Sequence, residues 1–253
     1  MDTLTPIPAA AIAPKPAERD GPLPRLLLVL TFATGLVDAV SYLALGHVFV
    51  ANMTGNVVLL GFALAGAQDF SVPASLAALA AFLAGAVLGG RLGSRTGDHR
   101  GRLLVFGITA EVLLLGAALV VSTCVADLDA PLVRYGLVAL LALTMGLQNA
   151  VARRLAVPDM PTTVLTLTLA GLAADSTLGG GNNPRPARRL MATVTMLLGA
   201  AVGAFLVRHA GVVAVLAFAL GLLVLNAVAA YRAAASTASW TAGARPLGVA
   251  SAR

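Results

Sequence analysis

Six stretches of this chain stay apolar for long enough to cross a lipid bilayer: 26–46, 74–90, 103–126, 132–152, 190–207 and 211–231. A helix rises 1.5 Å per residue, so runs of roughly 17–24 residues match a hydrocarbon layer about 30 Å thick. A water-soluble fold of 253 residues could not bury them all. Composition agrees, with 58% apolar residues, 11% charged and a mean hydropathy of +0.90. Soluble domains carry about 25% charged residues, and disordered chains lean further toward charge. A soluble enzyme, a soluble regulator and a disordered chain are all excluded. The fold class expected is an all-α membrane protein.

Net charge is +6, but the Arg residues lie in short segments between apolar runs, with no basic face and no aromatic stacking platform. That pattern sets membrane topology and does not suggest nucleic-acid binding. Cys124 is the single cysteine, so no intrachain disulfide can form. Residues 1–24 are rich in Pro and Ala and read as a disordered cytoplasmic tail. They lack the basic start and apolar core of a signal peptide. Residues 25–231 form one transmembrane domain, with halves at about 25–126 and 132–231, and 232–253 form a cytoplasmic C-terminal tail.

Two further apolar segments are defective. The run 48–67 is broken by Asn52, Thr54, Gly55 and Asn56, leaving Val57 to Ala67 clean. The run 161–174 is short and interrupted by Thr162, Thr163, Thr166 and Thr168. These breaks fall at matching places in two halves. Gly35-Leu-Val-Asp38-Ala39-Val40 returns as Gly146-Leu-Gln-Asn149-Ala150-Val151, an offset of 111. Thr54-Gly55-Asn56 aligns with Thr166-Leu167-Thr168 at an offset of 112, and the Gly85/Gly89 pair with Gly199/Gly203 at 114. The matches in register predict an internal duplication.

Basic residues collect on the cytoplasmic side. With six crossings and the N-terminus inside, 15 of the 17 Lys and Arg side chains lie inside, and only Arg134 and Arg208 lie outside. Eight crossings split them 10 to 7. Seven crossings, with the N-terminus outside, split them 12 to 5 and form the competing arrangement. The six-span, N-in and C-in arrangement makes the halves inverted repeats, an architecture shared by many secondary transporters. Irregular backbone at membrane depth must be buried in protein or line a cavity, so the polar breaks mark a candidate pathway.

An ionisable group within a span is a functional candidate by default. Asp38 lies about 20 Å along its helix from Arg25. It is read either as a proton- or cation-binding carboxylate or as a fastener between the first span and the Asn52/Thr54/Asn56 break. Thr54 and Asn56 suit helix capping and Gly55 permits unusual backbone angles. A half-helix is therefore expected to begin near Asn56, with its positive amide end aimed at Asp38. Glu111 lies near the midplane, and the counterpart region around Ala219 and Leu220 is apolar. It reads equally as a protonated structural acid or a transport carboxylate. Gln148 and Asn149 are neutral and suit helix–helix hydrogen bonding, and Asp175 suits a helix end or loop. The candidate binding set is Asp38, Asn52, Thr54, Gly55, Asn56, Glu111, Gln148, Asn149, Thr163 and Thr166.

The Gly85/Gly89 and Gly199/Gly203 pairs read as packing faces. His47, His99 and His209 show no metal-ligand spacing, and the Gly179–Gly181 run lacks the Lys and Ser/Thr of a phosphate loop. No catalytic motif occurs, so neither an enzyme nor a cofactor is expected.

Gly35-Leu-Val-Asp38-Ala-Val-Ser-Tyr-Leu followed by Val48-Phe-Val-Ala-Asn52-Met-Thr54-Gly55-Asn56 resembles the opening signature of the YoaK-like bacterial multi-pass membrane proteins. Gly146-Leu-Gln148-Asn149-Ala150 and Pro161-Thr162-Thr163-Val-Leu-Thr166 resemble that family's second signature. This chain departs from it with Thr166-Leu167-Thr168, where Thr-Gly-Asn is often repeated. The resemblance implies an integral protein of the bacterial cytoplasmic membrane, a small-molecule permease without an assigned substrate. The expected partners are the bilayer and a small molecule or ion, with protons coupling through Asp38 and homo-oligomerisation left open. The alternative is a non-transporting scaffold or assembly partner.

Overall fold

A computed structural model describes residues 20–67, 70–96, 99–125, 127–128, 130–158, 165–181, 186–235 and 239–241. Its long elements are all helical, and no strand occurs among the described residues. In chain order they are α1 (Leu23–Ala44), α2 (Met53–Leu64), α3 (Val72–Arg95), α4 (Arg100–Cys124), α5 (Pro131–Leu155), α6 (Leu165–Ala174) and α7 (Pro186–Ala234). Five of these, α1, α3, α4, α5 and α7, are long and apolar enough to cross a membrane. The chain is an all-α membrane protein.

The first four long helices begin and end within a few residues of the apolar runs, because the same side chains set both limits. Pro24, Pro73 and Pro131 sit in the first two positions of α1, α3 and α5, where a missing N–H is harmless. Ser71 and His99 accept hydrogen bonds at the starts of α3 and α4. The expected spans 190–207 and 211–231 form a single 49-residue helical element interrupted at Gly211, whose φ of 81° and ψ of 175° suit glycine alone. A straight helix of that length would separate its ends by about 70 Å. Yet Arg188 pairs with Asp20, while Ala234 lies against Gly101, next to the Arg100 that also reaches Asp20. The element therefore folds back at Gly211 into two arms, α7a (186–210) and α7b (212–234).

Within their most apolar windows, α1 is 72% buried and α5 61%, against about a third for α3, α4 and α7. The middle of the bundle is thus made by α1 and α5, and the other long helices turn Leu83, Leu113, Leu197 and Leu225 outward. Exposed leucine on this scale suits a hydrocarbon surround. The packing between helices is set by glycine. A Cβ on Gly85 would strike the Leu143 carbonyl, and one on Gly146 would strike Phe82 O. At Gly199 the obstacle is Phe32 O, and at Gly35 it is Met196 O at 2.6 Å. Backbones approach this closely only where the side chain is absent. Helix α1 therefore packs along α7a, and α5 packs along α3, each pair running parallel.

The expected disordered tail 1–24 ends sooner than the composition indicates. Asp20 is buried between Arg188 (2.9 Å) and Arg100 (3.5 Å), and Arg100 also donates to Leu155 O at 2.7 Å. This ties the starts of α1, α4 and α7a to the end of α5. The C-terminal boundary at 232 also moves, because α7b runs to Ala234 and a short 3-10 turn (Ser239–Thr241) follows. That turn buries Trp240 against Gly21, whose φ of 49° is left-handed. Residues 1–19 and 242–253 lie outside the described residues.

Candidate functional site

The polar break of the first half is built around an entering segment of irregular backbone. After α1 ends, Gly46 (φ 98°) and His47 (φ 55°) turn the chain back, and residues 48–52 descend beside α1. Backbone N–H and C=O groups in that stretch lack helical partners, and in an apolar surround each must find another. Asp38 supplies two of them. Its Oδ1 accepts from Val50 N–H at 3.0 Å and Ala51 N–H at 2.9 Å. Asn56 satisfies Phe49 on both sides, accepting from its N–H at 2.8 Å and donating to its carbonyl at 2.5 Å. The Phe49 ring stacks on Tyr42 at 4.8 Å between centroids, and His47 meets Tyr42 edge-on.

Helix α2 follows at once. Its expected start near Asn56 is corrected to Met53, and the capping side chain is Asn52, which accepts from Gly55 N–H at 3.3 Å. Thr54 is exposed, and Asn56 turns back to Phe49 instead of capping. The N–H groups that reach Asp38 are those of Val50 and Ala51, just ahead of the helix. Gly55 is needed here because a Cβ would meet the Phe49 ring at 2.9 Å. The structure thus brings together Asp38, Asn52, Gly55 and Asn56, with Thr54 on the rim.

The second half holds a different set. Gln148 is fully buried and donates to Thr34 Oγ1 at 2.8 Å, joining α5 to α1, while Thr34 donates onward to Leu30 O at 2.9 Å. Asn149, the counterpart of Asp38, is half-buried, and Thr166 is exposed. Thr163 lies outside the described residues. Thr168 is buried as is its counterpart Asn56, and α6 lies on α7 as α2 lies on α3. Asp175, just past α6, pairs with Arg189 at 2.6 Å.

Glu111 stands apart from the Asp38 group, on α4, whose main neighbours are α5 and α7. It is completely buried, and neither carboxylate oxygen has a hydrogen-bond partner. Gln148 Oε1 and Asn226 Oδ1 are likewise buried without a donor. Sequence reasoning missed Thr34 and Asn226, although Asn226 is a lone amide in an apolar run. It donates to Leu26 O at 3.2 Å and holds α7b to α1. A shallow groove of about 300 Å³ between Leu92, Arg95, Thr96, Arg102 and Phe106 contains none of the expected site residues. No group of three or more metal-ligating side chains occurs among the described residues.

Comparison with known proteins agrees with this architecture. The chain is 37% identical over 150 residues to the UPF0700 transmembrane protein YoaK of Bacillus subtilis (strain 168), a match covering 59% of this chain and 65% of that relative. The matched region thus spans a little under two thirds of the relative's length. No solved structure matches. The family model described as a protein of unknown function, DUF1275, matches residues 26–229, which include every described residue of both polar breaks. From the first long helix to the last, the chain belongs to the DUF1275 family of YoaK-like transmembrane proteins.

Proposed function

We propose that this protein is a transporter of a small molecule or ion in the bacterial cytoplasmic membrane, built from two inverted halves of three crossings and one short helix each. The observation that carries this reading is an exchange of contacts between the halves. Gly199 approaches Phe32 O, and its counterpart Gly85 approaches Leu143 O; the partners 32 and 143 differ by the same 111 as Gly35 and Gly146. Gly203 meets Leu36 O and the Ala39 methyl, while Gly89 meets Leu147 O and the Ala150 methyl, again 111 apart. Gly35 meets Met196 and Ala200, while Gly146 meets Phe82 and Ala86, both 114 apart. Such reciprocity is what a two-fold axis relating the halves produces. With three crossings per half, that axis lies in the membrane plane, and paired short helices flank it as in inverted-repeat transporters.

The six crossings are α1, α3, α4, α5, α7a and α7b, with both termini in the cytoplasm. The solute path is assigned to the two polar breaks, around Asp38, Asn56, Gln148 and Asn149. No reaction chemistry is assigned. A scaffold reading has one observation in its favour, since the Asp38 carboxylate is occupied in holding backbone. Growth of a deletion strain across a metabolite and toxic-compound panel, followed by uptake of each hit into proteoliposomes, separates the two. Transport predicts a compound whose flux requires the protein. A scaffold predicts no flux for any hit, and loss of a partner's assembly in its place.

A further inference from the structure

We propose that the exchangeable proton of this membrane domain is carried by Glu111 and not by Asp38. Asp38 has what an ionised carboxylate needs, two backbone N–H donors on one oxygen. Glu111 has none. Its two oxygens are buried without a partner, and the two other unpartnered side-chain oxygens in the spans, on Gln148 and Asn226, are also acceptors.

Helix register shows which parts of the neighbouring helices lie beside Glu111. Gly107 faces Val151, and Arg100 reaches Leu155 O, so the antiparallel α4–α5 pair sets Glu111 opposite residues 144–148. Gly101 faces Ala234, so the antiparallel α4–α7b pair sets Glu111 opposite about residue 224, within a turn of Asn226. Within a turn of these levels, neither α5 nor α7b offers a buried unpartnered donor to an ionised Glu111. A buried carboxylate without donors or a cationic partner is strongly disfavoured, whereas the neutral acid is not.

No cation supplies the charge from neighbouring elements. On α5, Arg134 and Tyr135 lie at one end and Arg153 and Arg154 at the other. On α7, Arg188, Arg189, Tyr231 and Arg232 lie at one end and Arg208 and His209 at the turn; Arg91 and Arg95 close α3, and Arg100, Arg102 and Cys124 bound α4 itself. Of these, the groups nearest in register sit about six residues from the Glu111 level, roughly 9 Å along a helix. Glu111 is thus loaded as the acid, and releases its proton to water when the α4–α5–α7b interface opens to solvent. This assignment rests on the transport reading for its purpose, but not for its test.

Infrared difference spectroscopy of the full-length protein in lipid, recorded against pH in H2O and D2O, reads the acid directly. The expected result is a protonated-carboxyl band that shifts in D2O, shrinks as pH rises, disappears in Glu111→Gln and persists in Asp38→Asn. Should Glu111→Gln fail to fold, Glu111→Asp serves, since shortening the acid must move its band. A band that survives Glu111→Gln, or is lost in Asp38→Asn, overturns the assignment. So does a Glu111 band that neither exchanges in D2O nor responds to pH, because the acid is then sealed. The spectrum is read without any substrate, so a failed flux assay leaves this result standing.

Discussion

The two halves share a frame and differ in their polar groups. In each, a glycine on the first helix and a glycine pair on the third bring backbones into contact with the other half at equivalent residues. The polar breaks are unlike. The first carries Asp38, fixed on Val50 and Ala51, with Asn56 closing on Phe49. The second carries a half-buried Asn149, and its neighbour Gln148 reaches across to Thr34. The difference teaches that close backbone packing is fixed at both places because any side chain there would clash, whereas the polar groups of a break can differ where that packing stands without them. The carboxylate lies in the half whose descending backbone uses it.

The largest effect tests the shared frame. Gly85→Leu and its mirror Gly199→Leu each place a side chain onto a backbone carbonyl across the interface. Overpacking of this kind typically costs about 1–3 kcal/mol, and more where backbone is the obstacle. Both variants are expected to lose most of their monodisperse, folded yield in detergent, and to similar degrees. Tolerance of one with loss of the other would break the equivalence of the halves.

Next in size is the contrast between the breaks. Asp38→Ala leaves the Val50 and Ala51 N–H groups buried without acceptors, at about 1–3 kcal/mol each. Asn149→Ala is expected to cost under about 1 kcal/mol, as suits a half-buried amide. Thermal unfolding in one detergent compares them. Asp38→Asn retains an acceptor oxygen and should fall between the two. Equal losses at 38 and 149 would show that the second break has a hidden counterpart to the first.

A smaller measurement orients both halves. In a Cys124→Ser background, single cysteines at Thr96 and Ser176 are expected to resist an impermeant thiol reagent in intact cells, while one at Leu128 labels. Ser176 follows Asp175, whose partner Arg189 begins α7a. External labelling at Ser176 would place the second short helix across the membrane and remove the inversion.

What the sequence made legible follows from which signals are local. Apolar runs declare helices, so the ends of α1, α3, α4 and α5 fell close to expectation, and the offsets of 111, 112 and 114 are what led to the proposed duplication. Asp38 was visible because a carboxylate in an apolar run is anomalous. Its partners were not, since the donors are backbone N–H groups and every residue but proline has one. Asp20 looked like a balanced tail charge. Only the fold places Arg100 and Arg188 beside it, 80 and 168 residues away. The turn near Gly211 was legible through Arg208 and His209, which separate the runs 190–207 and 211–231, although nothing local marked Gly211 itself as the non-helical residue.

The finest test exchanges one residue between the breaks. Gly55 and Leu167 hold the same place in α2 and α6, yet a Cβ at 55 meets the Phe49 ring at 2.9 Å, while the Leu167 side chain is 75% exposed. Gly55→Leu must therefore displace Phe49, and with it the two hydrogen bonds to Asn56 and the stack on Tyr42. Gly61→Leu, on the same helix, has nothing within 4 Å of the new Cβ. Leu167→Gly removes only an outward-facing side chain, at a helix-propensity cost of about 1 kcal/mol. On the transport proposal, flux of a compound found in the proteoliposome screen, at matched membrane levels, is expected to drop several-fold in Gly55→Leu and to hold in Gly61→Leu and Leu167→Gly. If Leu167→Gly lowers flux as much as Gly55→Leu, the second break is as tightly built as the first, and the asymmetry between the halves lies in the Asp38 charge alone.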